Sequence, residues 1–234
     1  MATSSRRKAS SSFHERRQRA LAMARILKGL FPQATVPLRH QSNWELFVAV
    51  VLSAQATDKK VNEVTDLLFQ KYKTLGDYIN ADQAEFEQDI KKIGLYRSKA
   101  RHILASARII QQSYGGELPR TMAEMLKLPG AGRKSANVVL GKAYGAVEGI
   151  AVDTHVRRFA IRFDLTDFTD PFRIEQDLMA LLPTEEWFGF SYRLIMYGRQ
   201  ICPARQHECR GHPLTALYPP AAKRWFSASQ RRRG

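Results

Sequence analysis

The sequence predicts an all-α protein, and three observations support this prediction. Apolar residues recur at helical spacing in one segment after another. Strict alternation of apolar and polar residues, which is typical of a strand, is nowhere sustained. Short turns marked by glycine or proline, such as Gly115–Gly116, separate the apolar segments. At 234 residues the chain has room for one large domain or two moderate ones.

The first helix is predicted from its start signal and its apolar face. Ser12 and Glu15 have the spacing of a capping box. Pro32 marks the end of the helix. The residues that share one helical face between these two signals are Leu21, Ala24, Leu27 and Phe31.

The second segment, Trp44–Ala56, is almost entirely apolar. Its β-branched residues are compatible with a strand, but its length and the preceding Asn43 favour a buried helix. The later elements follow from helical spacing, caps and turns. We predict them near Val61–Lys71, Thr74–Ala81, Gln83–Lys92, Ser98–Tyr114, Met122–Lys127, Arg133–Gly145, Thr154–Phe163, Pro171–Leu182 and Glu186–Gln200.

Composition limits the classes of partner and compartment. The formal charge of +15 is spread over the whole chain, which favours a polyanion such as nucleic acid. The apolar run Leu46–Leu52 is too short to span a bilayer. Two cysteines are too few for a disulfide scaffold and suit a reducing compartment. We therefore expect a cytoplasmic, nucleoid-associated protein, although the Ser- and Arg-rich residues 1–11 also resemble an organellar targeting segment.

Leu128–Asn137 is the most informative stretch, because it places two glycines and a lysine where a helix begins. Gly130 and Gly132 allow a tight turn whose following amides can bind a phosphate. Lys134 falls in the first helical turn, where the helix dipole is expected to lower its pKa and favour a nucleophilic amine. The alternative is a solvated or phosphate-pairing lysine.

Asp153 precedes another predicted helix, so it is expected at least to be an N-cap. A second role becomes available if this carboxylate works together with Lys134.

Four ordered blocks resemble the endonuclease III family of DNA glycosylases, within the helix-hairpin-helix superfamily. The resemblance covers roughly residues 20–205. The blocks are Leu52–Asp58, Ile93–Ala100, Leu128–Val139 and Val152–His155.

The resemblance implies the chemistry. Lys134 would attack the sugar C1′ of a damaged nucleotide, and Asp153 would help to activate the amine and stabilise positive charge on the sugar. The resulting imine permits β-elimination, which makes the enzyme a glycosylase and a lyase acting at apurinic or apyrimidinic (AP) sites.

The resemblance also implies the DNA contacts. Gln55 would fill the space left by the extruded base, and Leu95 would wedge into the opposite strand. The alternatives are a polar residue at a helix end and a core leucine. Ser53 and His155 would line the base pocket or support Asp153, or else be purely structural. The remaining predicted phosphate contacts are Gly130, Gly132, Arg133 and Arg205.

The C-terminal segment departs from the family pattern. Endonuclease III proteins usually carry four cysteines spaced Cys-x6-Cys-x2-Cys-x5-Cys, which bind a four-iron cluster. Here Cys202 and Cys209 fit the first two places, while His212 and Tyr218 occupy the others. We therefore predict that the cluster is absent and that the protein needs no cofactor, with a zinc site at Cys202, His207, Cys209 and His212 as the alternative.

The expected architecture is a two-lobed helix-hairpin-helix DNA glycosylase fold with DNA in the cleft between the lobes. One lobe would be a helical barrel at 36–147, and the other would combine 15–35 with 148–225. Basic ends, 1–14 and 226–234, would be a disordered arm and a tail.

The expected function is removal of oxidised pyrimidines from duplex DNA in base excision repair. The partner would be double-stranded DNA containing damaged bases or abasic sites, bound by a monomer without membrane association. The alternatives are a noncatalytic DNA-binding module on the same scaffold and a glycosylase for another lesion, such as oxidised guanine or a pyrimidine dimer.

Overall fold

A computed structural model describes residues 12–225 and is helical throughout its regular parts, which confirms the predicted all-α fold. The α-helices, in chain order, are α1 Phe13–Leu30, α2 Asn43–Ser53, α3 Asp58–Lys71, α4 Leu75–Ile79, α5 Gln83–Asp89, α6 Tyr96–Tyr114, α7 Met122–Met125, α8 Arg133–Tyr144, α9 Thr154–Arg162, α10 Pro171–Leu181, α11 Thr184–Gln200 and α12 Pro213–Leu217. A 3-10 helix follows at Pro219–Lys223. The chain forms two compact units, one over Val36–Glu148 and the other from the residues up to Thr35 together with those from Gly149 onward.

The continuous unit, Val36–Glu148, is built around α2. All seven residues of Leu46–Leu52 are buried, so this helix is apolar on every side. The strand alternative for this segment is therefore excluded. Trp44 stacks on Phe47 and meets Tyr78 edge-on, which joins α2 to α4.

The discontinuous unit has its own core, made by α1 with α9 to α12. Phe159 on α9 and Phe163, the C-cap of α9, are fully buried and belong to one apolar cluster with Met23 and Leu27 of α1. Tyr197 of α11 meets Phe159 edge-on, and burial raises the pKa of its phenol to about 12.

Caps explain most differences between predicted and observed helix bounds. α3 begins at Asp58 rather than near Val61, because the Thr57 side chain accepts a hydrogen bond from the Lys60 amide. The predicted arm at 1–14 is wrong at its end, since the Ser12–Glu15 capping box starts α1 at Phe13. Residues 1–11 and the predicted tail 226–234 lie outside the described residues.

The sequence missed the short helices after residue 212. Pro213 occupies the first turn of α12, where its missing N–H is not needed. None of the helices within residues 12–225 is both long and apolar enough to cross a membrane.

Candidate active site and DNA-contacting surface

The turn between α7 and α8 depends on glycine at one position. Gly130 has φ +85°, in the left-handed region. A Cβ atom there would lie 3.2 Å from Cβ of His102 and 3.2 Å from Cγ1 of Val51. Ser106 donates a 2.9 Å hydrogen bond to the Pro129 carbonyl and fixes the turn from α6. Only glycine therefore fits at position 130.

Gly132 is the N-cap of α8 and is constrained differently. Its φ is −86°, and a Cβ at this position would meet nothing within 4 Å. The N-cap Gly132 makes no side-chain cap, so the amide end of α8 is suited to binding an anion. Arg133 and Lys134 are the first two residues of the helix, and the Lys134 side chain is exposed.

Gln55 forms a strained corner just after α2. It is exposed and has φ +56°, a conformation that costs a non-glycine residue free energy. Ser53, the last residue of α2, is half-buried and donates a 2.8 Å hydrogen bond to the Val50 carbonyl. This bond gives Ser53 a structural role within the helix.

Lys99 is a buried residue of this region that sequence reasoning missed. Its ammonium donates hydrogen bonds to the carbonyls of Leu52 at 2.9 Å and Ala54 at 2.5 Å. Burial lowers the pKa of Lys99. Its place on the apolar face of α6 was the only available signal, because the acceptors are backbone atoms more than 40 residues away in sequence.

Leu95 is the N-cap of α6. It is 61% exposed and has φ +58°. The alternative interpretation of Leu95 as a core leucine is therefore excluded. An exposed apolar side chain on a left-handed corner is an unusual combination that invites a functional explanation.

Asp153 is the N-cap of α9, as its sequence context predicts. Its Oδ1 accepts hydrogen bonds of 2.9 Å from the amides of His155 and Val156. Both bonds use the same oxygen, and within residues 12–225 Oδ2 accepts none. The carboxylate thus caps the helix and keeps one oxygen for another partner.

His155 follows in the first turn of α9 and packs against α11. A Cβ at Gly198 would collide with Nδ1 of the His155 ring, so glycine makes room for the imidazole. The predicted contact residue Arg205 is exposed in the loop after α11.

Two buried arginines tie α9 to the cysteine segment, and sequence reasoning missed both. Arg158 donates to the carbonyls of Cys202 at 2.8 Å and Pro203 at 3.2 Å. Arg162 is 1% exposed and donates to Sγ of Cys202 at 3.3 Å and Sγ of Cys209 at 3.4 Å. The helix that begins at Asp153 is therefore fixed to the segment that carries both thiols.

Three possible metal ligands meet in that segment. The donor atoms of Cys202, His207 and Cys209 all lie within 4.8 Å of one another, and both cysteines are buried. His212, the fourth candidate, is not in this group, but its ring lies 5.2 Å from the His207 ring, centroid to centroid. Two thiols and an imidazole suit zinc or iron.

Comparison with known proteins identifies the family. Residues 48–184 match the family described as HhH-GPD superfamily base excision DNA repair protein. An endonuclease III from Synechocystis sp. is 45% identical over 206 residues, which cover 88% of this chain and 94% of the relative. The chain belongs to the endonuclease III family.

Other members of the endonuclease III family agree in sequence and in fold. The Bacillus subtilis endonuclease III is 47% identical and covers 83% of this chain and 89% of its own length. A solved structure of a trapped endonuclease III–DNA covalent intermediate matches with a TM-score of 0.83 and 44% identity, covering 88% of this chain and 97% of that one. A thermostable thymine-DNA glycosylase, 21% identical with a TM-score of 0.77, shares the fold.

Membership of the endonuclease III family also corrects the cofactor prediction. The expectation that the protein needs no metal is wrong, because relatives carry a four-iron cluster and this chain brings Cys202, His207 and Cys209 together. Four thiolate ligands do not fit the residues present, since the sequence contains two cysteines. The ligand set that fits is the two thiols together with the His207 imidazole.

The predicted site residues divide between the two units. Ser53, Gln55 and Leu95 belong to Val36–Glu148, as do the four turn residues Gly130, Gly132, Arg133 and Lys134. Asp153, His155 and Arg205 belong to the other unit, together with the metal-ligand group. Each set is held by the core and hydrogen bonds of its own unit.

Proposed function

We propose that this protein excises oxidised pyrimidines from duplex DNA and then cleaves the strand, with Lys134 as the nucleophile. The class of activity follows from the family: the chain is a base excision repair DNA glycosylase and AP lyase. The observation that carries the residue assignment is the exposed Lys134 at the second position of α8, next to a tight turn that requires glycine at position 130.

The proposed reaction begins at the sugar. Nζ of Lys134 attacks C1′, the bond from C1′ to the base breaks, and the base leaves with the electron pair and takes up a proton. The carboxylate of Asp153 stabilises positive charge developing on the sugar and accepts a proton from the amine. Oδ2 is the oxygen proposed for this role, because Oδ1 is engaged by two amides.

Strand cleavage follows from the covalent link. Opening of the sugar ring gives a protonated imine between Nζ and C1′, which acidifies the C2′ hydrogen. Loss of that proton breaks the bond from C3′ to its oxygen, and the 3′ phosphate leaves. Water then hydrolyses the imine and frees Lys134. The solved covalent intermediate of a related endonuclease III supports a bond of this type.

Base extrusion and DNA positioning are assigned to further residues. Gln55 and Leu95 are proposed to enter the duplex, since both are exposed and held in left-handed corners. The open amides of α8 are proposed to bind a backbone phosphate, supported by Arg133 and Arg205. We also propose that the protein associates with the nucleoid, since its substrate is DNA.

Borohydride trapping tests the assignment. Reduction of the imine on abasic-site DNA should capture the wild-type protein covalently, and Lys134→Gln should abolish capture while duplex binding remains. Asp153→Asn is the matched variant, because asparagine keeps the helix cap but removes the charge. We expect its melting temperature to stay close to wild type while single-turnover excision falls by about 100-fold or more.

Two results would overturn these assignments. Capture by Lys134→Gln at the wild-type rate would exclude Lys134 as the nucleophile, and tight binding without any capture by the wild type would favour a noncatalytic module. Release of thymine glycol or dihydrouracil from defined duplexes tests the substrate class. Preferential release of oxidised guanine would assign a different lesion.

A further inference from the structure

Two exposed side chains in the unit that carries the proposed nucleophile share an unusual backbone state. Within residues 12–225, only Gln55, Leu95 and Asp164 combine a side chain with positive φ. Gln55 and Leu95 are the two that are proposed to enter DNA. A left-handed conformation persists at such residues only where surrounding structure enforces it.

A hydrogen bond between near neighbours closes the turn at one of the two corners. The Ala56 amide donates a 3.1 Å hydrogen bond to the Ser53 carbonyl across Gln55, whereas Leu95, the N-cap of α6, makes no side-chain cap. Gly94 beside Leu95 has no neighbouring atom within 4 Å of a built Cβ, so nothing packs on that side of the corner. A further constraint comes from another element.

Lys99 reaches both corners. Its backbone amide donates a 3.1 Å hydrogen bond to the carbonyl of Leu95, so it closes the first turn of α6. Its ammonium donates to the carbonyls of Leu52 and Ala54, which bracket Ser53 and directly precede Gln55. One residue therefore joins the start of α6 to the end of α2.

The chemistry at Lys99 is specific to a buried cation. Lys99 is 5% exposed, and within the described chain no carboxylate forms an ion pair with it. An apolar side chain would fill the same volume without desolvating a charge. The ammonium adds what an apolar side chain cannot, namely donors for two carbonyls at the negative end of the α2 dipole.

The third left-handed corner uses the same device. Arg19, from α1, donates 2.8 Å hydrogen bonds to the carbonyls of Phe163 and Asp164. Arg19, which is half-buried, thus constrains the corner at Asp164 from a distant helix, and it also pairs with the Asp164 carboxylate at 3.6 Å. The corner at Asp164 has no assigned part in the reaction, so it shows what the loss of such a cation does to stability alone.

We propose that Lys99 is a positioning residue for base extrusion, which holds the Gln55 corner and the Leu95 corner in fixed register so that both side chains enter the duplex together. This inference rests on the proposed function, because it takes Gln55 and Leu95 as the inserting residues. Lys99 touches neither substrate nor reacting atoms, so its effect passes through these two residues.

The test is a mutational cycle read by single-turnover excision of thymine glycol at saturating enzyme. Lys99→Met removes the donors and preserves length, and we expect the excision rate on a fully paired duplex to fall between about 10-fold and 100-fold. In a Gln55→Ala/Leu95→Ala background the same change should cost less than about threefold, because the residues through which it acts are gone.

Two control variants separate positioning from other effects. Lys73→Met removes one exposed positive charge and should leave excision within about twofold of wild type. Arg19→Met loosens the comparable corner at Asp164, and should lower the melting temperature without the loss of excision. Lys99→Arg retains donors and should recover part of the rate if Lys99→Met folds poorly.

The outcomes distinguish this inference from the function on which it rests. A wild-type protein that neither excises thymine glycol nor traps on abasic DNA would defeat the proposed function itself. Normal wild-type activity with an unimpaired Lys99→Met would defeat only the role of Lys99. A loss of equal size in both backgrounds, or in Arg19→Met as well, would show that Lys99 supports the fold rather than the insertion.

Discussion

At the scale of single residues, Gln55 and Leu95, which the sequence resemblance assigns to DNA contacts, both have a strained left-handed backbone. Leu95 combines 61% exposure with φ +58°, so the fold gains little from its side chain and bears the cost of its backbone. A residue chosen for stability alone at this corner would be glycine or asparagine. The leucine is better explained by contact with something outside the protein.

Leu95→Asn tests this trade between stability and activity. Asparagine tolerates the left-handed region, so we expect the free energy of unfolding in urea to rise by about 0.5–1 kcal/mol. Excision from paired duplex should fall at least about tenfold, because the apolar wedge is lost.

Leu67→Asn is the control, because Leu67 is also exposed, at 67%, but lies inside α3. That change should cost about 0.5 kcal/mol and leave excision unaltered. A Leu95→Asn protein with full excision would remove Leu95 from the insertion step.

At the scale of elements, the turn before α8 separates two uses of glycine. Gly130 is required by conformation and by close contact with His102 and Val51, whereas Gly132 lies in open space at the N-cap. Alanine at position 130 therefore tests backbone conformation and close packing, whereas alanine at position 132 tests access to the amides of α8.

Gly130→Ala should lower the free energy of unfolding by about 2 kcal/mol or more, because the added Cβ meets both strain and neighbouring atoms. Gly132→Ala should cost at most about 1 kcal/mol, since alanine is only a poorer cap. The larger effect of Gly132→Ala should be on duplex affinity. We expect this affinity to fall about tenfold, because the phosphate is proposed to approach the amides of α8 at this position. Urea unfolding and fluorescence-anisotropy titration measure the two quantities. Equal stability losses at both positions would contradict the distinction.

The elements also show how far the sequence could lead. The burial of α2 and the turn before α8 were predictable because their signals are local: an unbroken apolar run, and glycine followed by a helical pattern. Lys99, Arg158 and Arg162 were not, because their acceptors are backbone carbonyls and sulfur atoms 40 or more residues away. Neither helical periodicity nor a sequence motif predicts which carbonyl will accept a hydrogen bond from a buried cation. The short α12 was hidden by the prolines that begin it and follow it.

At the scale of the whole molecule, the discontinuous unit depends on the segment after α11. Arg158 and Arg162 bind that segment to α9, which carries Asp153 at its start. The prediction of a metal-free protein failed here because it counted cysteines against a four-thiolate pattern. It gave too little weight to an imidazole that folding brings beside the two thiols.

We expect protein purified without oxygen to carry metal bound through Cys202, His207 and Cys209. Ligands assembled only in the folded state link metal binding to stability. Cys202→Ser/Cys209→Ser should therefore lose the metal, and its melting temperature should fall by about 5–10 °C. His212→Asn lies outside the group and should keep the metal. Elemental and sulfide analysis together with calorimetry give the readouts. Equal metal content in the double-serine variant would remove the cysteines from the site.

The division of the chain has a consequence for synthesis on the ribosome. Val36–Glu148 is one uninterrupted stretch, so it can fold as soon as it has emerged from the exit tunnel. α1 is translated before that stretch, yet its packing partners α9 to α12 are translated only after it. The buried face of α1 therefore stays uncovered for most of translation, and a nascent chain stalled before α9 would present Met23 and Leu27 to chaperones.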